Sequence, residues 1–241
     1  MLTQNRARVT DGRISRPAVL SAATARHEDV ERRDRPGASA TLGAMDVPDT
    51  GRVGARFVAR RIGLTVGVLG GAGWAGSDLL RSVAFRGLGT TGAVDYVLAN
   101  RSLGVAAVLV AVGMIAALAA LRREFGRVAS LSGWIAVAGL GMLAGGSLGE
   151  FVFFTQDRYG LAAASWLWFV IGLPVTAIGL TGVGLKLFAR WAEWRRLVAS
   201  WLAASVPLMF AGFVLGLLGT PLALGVMGLC AVLLRERSPE H

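Results

Sequence analysis

After Arg61 the chain alternates long uncharged runs with short charged segments. The uncharged runs are 62–77, 102–121, 128–149, 159–185 and 197–234. A helix crossing the ~30 Å hydrocarbon core needs ~20 residues at ~1.5 Å each, so runs of this length read as membrane-spanning helices. The last run has 38 residues. As one helix it would reach ~57 Å, so it must fold back. "GTP" at 219–221 supplies the break: Gly219 ends one helix, Thr220 caps the next, and Pro221 suits its first turn. The pattern predicts an all-α, six-helix transmembrane bundle within 51–237. Its spans lie at about 57–77, 102–121, 131–153, 161–185, 198–218 and 220–235, with a tail at 238–241.

Residues 1–50 carry no persistent period of 3.6 or 2 and are rich in Arg, Pro, Gly and Ser. They are expected to form a disordered leader, with Met45 as an alternative start.

Arginine placement sets the orientation. With six spans and both termini cytoplasmic, the inner segments from residue 45 onward carry thirteen basic residues and the outer segments four: Arg81, Arg86, Arg101 and Arg158. Removing the first span leaves eight against nine, so the positive-inside rule favours six. Trp74, Trp166 and Trp168 then fall near outer ends, and Trp134, Trp191, Trp194 and Trp201 near inner ends, as an interfacial belt requires.

Composition agrees. The chain is 54% hydrophobic and 17% charged, with a mean hydropathy of +0.58. Its net charge of +10 resides in arginines beside apolar runs, without the interleaved base-stacking aromatics of a nucleic-acid surface, so no nucleic-acid partner is expected. The expected location is a bacterial cytoplasmic membrane, with anionic headgroups as partners on the cytoplasmic side. The only cysteine, Cys230, lies in an apolar run, and both histidines lie in polar tails. Metal clusters and Ser-His or Cys-His catalysis therefore have no residues to use, and no cofactor, metal or enzymatic activity is expected.

One stretch points elsewhere. "VGVLGGAGWAGSDLLR" (66–81) contains Gly71-x-Gly73-x-x-Gly76, and "DYVLANRS" (95–102) reads as a following strand. This segment resembles the dinucleotide-binding start of N-acetyl-glutamyl-phosphate reductases. The resemblance implies a strand–turn–helix unit, with Gly71, Gly73 and Gly76 at a pyrophosphate and Arg101 and Ser102 near a 2′-phosphate. It covers about forty residues and ends before any catalytic Cys or His. Read as a membrane helix, the same glycines let backbones approach. Gly63, Gly67 and Gly71 recur every four residues, as do Gly141, Gly145 and Gly149, and then Gly212 and Gly216. These are expected helix-packing positions, within the chain or between chains. In general style the chain resembles small multi-pass membrane proteins of high-GC bacteria, a resemblance that implies no activity.

Four residues stand out as candidate functional positions. Glu150 is an acid near the outer end of the third span, on one face with Gly146 and Ser147, so it is expected either at the interface with Arg158 or an outer-loop arginine, or in an ion-linked role. Pro174 and Pro207 are expected near the midplane of their spans, where each removes a backbone donor. No acidic pair, arginine or histidine is expected between the span ends. "LKLFARWAEWRRLVASW" (185–201) is amphipathic, with Trp191, Trp194 and Trp201 on one stripe and Arg190, Arg195 and Arg196 off it, and reads as an interfacial helix. The favoured function is a non-enzymatic membrane component acting through helix packing, with itself or with a membrane-protein partner. A transporter or channel for a small neutral or lipophilic solute is the alternative, and a membrane-anchored NAD(P)-dependent oxidoreductase a distant third.

Overall fold

A computed structural model describes residues 50–86 and 92–236, and every regular element among them is a helix. The predicted leader up to residue 49, the 87–91 centre of the first loop and the tail at 238–241 lie outside the described residues. In chain order the helices are α1 (Thr50–Arg86), α2 (Gly92–Leu121), α3 (Arg127–Thr155), α4 (Tyr159–Phe188), α5 (Arg195–Ala203), α6 (Ser205–Val214) and α7 (Thr220–Arg235).

Three segments are long and apolar enough to cross a membrane: Leu98–Leu121, Arg127–Thr155 and Tyr159–Phe188. In each, Leu, Val, Ala and Gly fill the uncharged run, and a helix satisfies every backbone N–H and C=O without water. Residues 122–126 and 156–158 are short connections, so α2, α3 and α4 form successive antiparallel hairpins. At the α3–α4 turn, Asp157 takes a positive φ of 56° and Arg158 N–H donates to Phe153 O at 2.9 Å. α1 packs mainly on α2 and α7, and α3 on α4.

The remaining predicted spans differ from expectation. α1 runs 37 residues without a break, through the predicted end at 77 and on to Arg86. Its glycines dilute its hydropathy, and it falls outside the three clearly apolar helices. The predicted fifth span, 198–218, is two short helices meeting at 69°. The bend lies at Ala204, with Pro207 in the first turn of α6. A proline ring clashes with the carbonyl four residues earlier, here Ala203, so the chain turns there instead of continuing from α5. Pro174, in contrast, lies within an unbroken α4. α7 has 16 residues, short for a full crossing.

α7 runs antiparallel to α1. Cys230 meets Gly67, Met227 meets Gly71, and Thr220 meets Asp78. Gly219, in the left-handed region at φ 79°, lies against Trp74 and Leu173. Leu173 is midway along α4, so α7 starts about half-way up the bundle.

Gly67 and Gly113 mark the closest approach of α1 and α2. A Cβ on Gly67 would lie 2.6 Å from Gly113 Cα and 2.7 Å from Cys230 Sγ. Gly63 meets Ala116, and Gly71 meets Met227 and Ala223 O. The other expected glycine faces divide. Gly149 lies against Ser165, whereas Gly141 and Gly145 face open space and make no helix contact inside the chain. Gly139, Gly146, Gly172 and Gly179 instead bring α3 and α4 together. Gly212 packs on Leu217 O and Pro221, and Gly216, at φ 73°, is a turn residue with open space around its Cα.

Two tryptophans expected at the interface are buried. Trp74 is fully enclosed and donates from Nε1 to Leu218 O at 3.0 Å. Trp191 is 6% exposed.

Candidate functional site

A cluster of buried polar side chains joins α1, α2, α3 and α7 in the half of the bundle that contains the α3–α4 turn. Ser77, Asp78 and Arg81 come from α1, Asn100 from α2, Ser147 and Glu150 from α3, and Thr220 from α7. All are 9% exposed or less. On α1 they continue the glycine face. The face that carries Gly67 and Gly71 into the helix contacts returns at Trp74, Asp78 and Arg81, one helical turn at a time.

The bonds cross between helices. Asn100 Nδ2 donates to Glu150 Oε2 at 3.1 Å, and Ser147 Oγ donates to Asn100 O at 2.7 Å, so α2 and α3 are tied twice. Ser77 Oγ donates to Gly73 O at 2.8 Å and lies 3.0 Å from Ser102 Oγ, which also reaches Ala99 O at 2.9 Å. Thr220 Oγ1 donates to Asp78 Oδ2 at 2.5 Å. Asp78 thus stands at the N-terminus of α7, where unpaired N–H groups and the helix dipole favour a negative charge. The expected role of Thr220 changes accordingly: Gly219 is the N-cap residue, and the Thr220 hydroxyl serves another helix. The Arg81 guanidinium lies 5.2 Å from the centre of the Trp166 ring, whose other neighbour, Phe169, stacks at 4.8 Å.

These positions correct the expectation of an interior without acids or arginine. Asp78 and Glu150 are both buried, Arg81 is buried with them, and Glu150 bonds Asn100 inside the bundle. Ser147 joins the cluster through Asn100 O. Pro174 and Pro207 do not, for both are exposed on outward faces.

The dinucleotide unit is not formed. Gly71, Gly73 and Gly76 are inside α1, residues 95–102 are inside α2, and no strand occurs among the described residues. A phosphate cradle needs a strand-to-helix turn, which a continuous helix cannot supply.

At the opposite end of the bundle the basic residues hold the connections. α4 stops at Phe188, Glu193 takes a positive φ of 54°, and α5 begins at Arg195, so 185–201 is not one amphipathic helix. Arg190 donates to Glu124 O at 2.6 Å, and Arg195 pairs with Glu236 at 3.0 Å. Arg196 lies over Phe188, and Arg235 over Trp194. Farther into the bundle, Trp201 Nε1 donates to Pro221 O at the start of α7 at 2.7 Å. Partial burial pushes the Glu236 carboxyl above its ordinary range; Glu124 adds to this and Arg195 opposes it.

Beside the polar cluster, Glu150, Phe154, Tyr159, Ala162, Ala163 and Trp166 line an open depression of about 280 Å³. No group of three or more His, Cys, Asp or Glu side chains able to hold a metal occurs among the described residues. Comparison with protein-family models, curated proteins and solved structures finds no match to this chain.

Proposed function

We propose that the protein is a non-enzymatic, multi-pass membrane component that works through helix–helix contacts. The observation that carries this reading is the polar cluster. Its described hydrogen bonds link α1 to α2, α2 to α3, and α1 to α7, three of them between side chains and one from Ser147 to the Asn100 carbonyl. In hydrocarbon, such bonds hold helices together where burial of apolar surface no longer does. The outward small-residue face of α3 at Gly141 and Gly145 is the surface through which a second copy or another membrane protein packs.

In this reading α1, glycine-diluted, and α2, α3 and α4 cross the membrane, while the bent pair α5–α6 enters from the basic end and α7 returns to it from about half-way up the bundle. Both termini are cytoplasmic, as the thirteen-to-four asymmetry of basic residues favours. A topology map with a reporter junction in 85–95 tests this, and a cytoplasmic reporter there overturns it. Native mass spectrometry of the purified protein tests the packing role: wild type is expected as an oligomer, and Gly141→Leu/Gly145→Leu as a monomer. A wild-type monomer removes self-association from the reading.

A second reading, a solute route, is favoured by the bend at Ala204 together with the mid-bundle start of α7. Discontinuous helices that end near mid-depth form binding sites in transporters. Solute flux into proteoliposomes that Glu150→Gln abolishes, with folding intact, would select this reading over the first.

A further inference from the structure

Two oxygens of the polar cluster find no donor among the described residues. Asp78 Oδ2 accepts the Thr220 hydroxyl, but Asp78 Oδ1 accepts nothing. Asn100 donates through Nδ2 to Glu150, but Asn100 Oδ1 accepts nothing. Asp78 is 1% exposed and Asn100 2%. Lipid has no donor to offer either atom, and a bare buried acceptor costs about 1–3 kcal/mol, more where it is charged. Buried polar atoms left over by the protein are met by ordered water, which needs ~2–4 polar neighbours to stay.

The cluster supplies those neighbours in series. From the α3–α4 turn inward they are Glu150 and Asn100, then Ser102 on α2, Ser77 at 3.0 Å from it, Asp78 beside Ser77, and Thr220. Every step is a hydrogen bond or a shift of one or two residues along one helix. The outer end of the series is open, because Glu150 lines the depression of about 280 Å³, many times the ~30 Å³ share of one water in the liquid. Ala162 and Ala163 add nothing beyond Cβ to its lining. The turn beside it carries Asp157 and Arg158, one charge of each sign, and water needs neither. The inner end of the series is Thr220, where α7 starts about half-way up the bundle.

We propose that water enters at this depression and occupies the polar cluster as far as Asp78, so that the α3–α4 half of the bundle is a hydrated half-channel. Water donates the bonds that Asn100 Oδ1 and Asp78 Oδ1 lack. The half-channel depends neither on self-association nor on transport of a solute.

The test uses the full-length protein in nanodiscs, with silver nitrate in chloride-free buffer. Silver ions travel in water and combine with thiols. Cys230, 0% exposed at the contact with Gly67, is the control within the same molecule. Ser77→Cys adds a thiol of similar size beside Asp78, and peptide mass spectrometry reads the two rates. The thiol of Ser77→Cys is expected to react at least ~10-fold faster than Cys230, which silver reaches only through local opening of the bundle. Ser147→Cys, at the Asn100 carbonyl, is the second probe if Ser77→Cys does not fold. Ala163→Leu narrows the opening without replacing a member of the cluster. It should slow the introduced thiol and leave Cys230 unchanged. An introduced thiol as slow as Cys230, or one whose rate Ala163→Leu does not alter, overturns the proposal.

Discussion

Thr220, in the first turn of α7, donates its hydroxyl to the carboxylate of Asp78, 142 positions earlier in the chain. The bond ties the end of the glycine-rich face of α1 to the start of the last helix. Thr220→Val removes the donor and leaves a buried carboxylate short of one partner, which costs about 1–3 kcal/mol. The expected outcome is a lower unfolding midpoint in detergent, with Thr220→Ser close to wild type. Equal stability of Thr220→Val and wild type would show that Asp78 is satisfied without it.

Asn100 and Glu150 form the corresponding tie between α2 and α3. A double-mutant cycle with Asn100→Ala and Glu150→Ala should give a coupling of about 0.6 kcal/mol, and no more than about 1.7, the mean and the maximum for interhelical hydrogen bonds in membranes. Strict additivity would mean the two side chains are neighbours without interaction.

Gly67 and Gly141 belong to the same sequence pattern and should behave oppositely. Gly67→Ala forces a methyl group against Gly113 and Cys230. It should destabilise by about 1–3 kcal/mol, or more if the backbones cannot part. Gly141→Ala meets open space and should leave the thermal midpoint of the isolated chain unchanged. Similar losses at both sites would contradict the packing described.

At the basic end, burial raises the Glu236 carboxyl above its ordinary range. An acid whose pKa is raised by folding binds its proton more tightly in the folded state, so ionisation costs stability as pH rises through that value. Glu236→Gln should therefore be at least as stable as wild type near pH 7, and the difference should fade as pH falls below the carboxylate range. Thermal melts of both proteins across this interval check the sign. A variant less stable at neutral pH would mean that the ion pair with Arg195 outweighs the burial.

The sequence made α2, α3 and α4 plain because each is an uncharged run long enough to fill a hydrocarbon layer. Two things were hidden. Asp78, Arg81 and Asn100 lie in the charged stretch 78–101, and charge near a run's end reads as a boundary with water. The face of α1 gave the contrary signal: Gly67, Gly71, Trp74, Asp78 and Arg81 keep the helical period straight through that boundary. Trp74 carried the same ambiguity, since a tryptophan near a run's end suits both an interface and a buried donor. The bend at Ala204 was hidden because Pro207 alone does not distinguish a kink within a helix from the first turn of a new one. Pro174, within an unbroken α4, shows the other outcome.

α7 starting half-way up the bundle leaves the connection from α6 at a depth normally filled by regular helix. Phe210, Phe213, Val214 and Leu215 are exposed there, a greasy flank around backbone that turns at Gly216 and Gly219. Acyl chains beside this flank meet an uneven wall instead of a smooth cylinder. The bilayer next to α6 and α7 is the place where lipid order should be most disturbed, and thinner membranes should accommodate this side of the protein with less strain than thick ones.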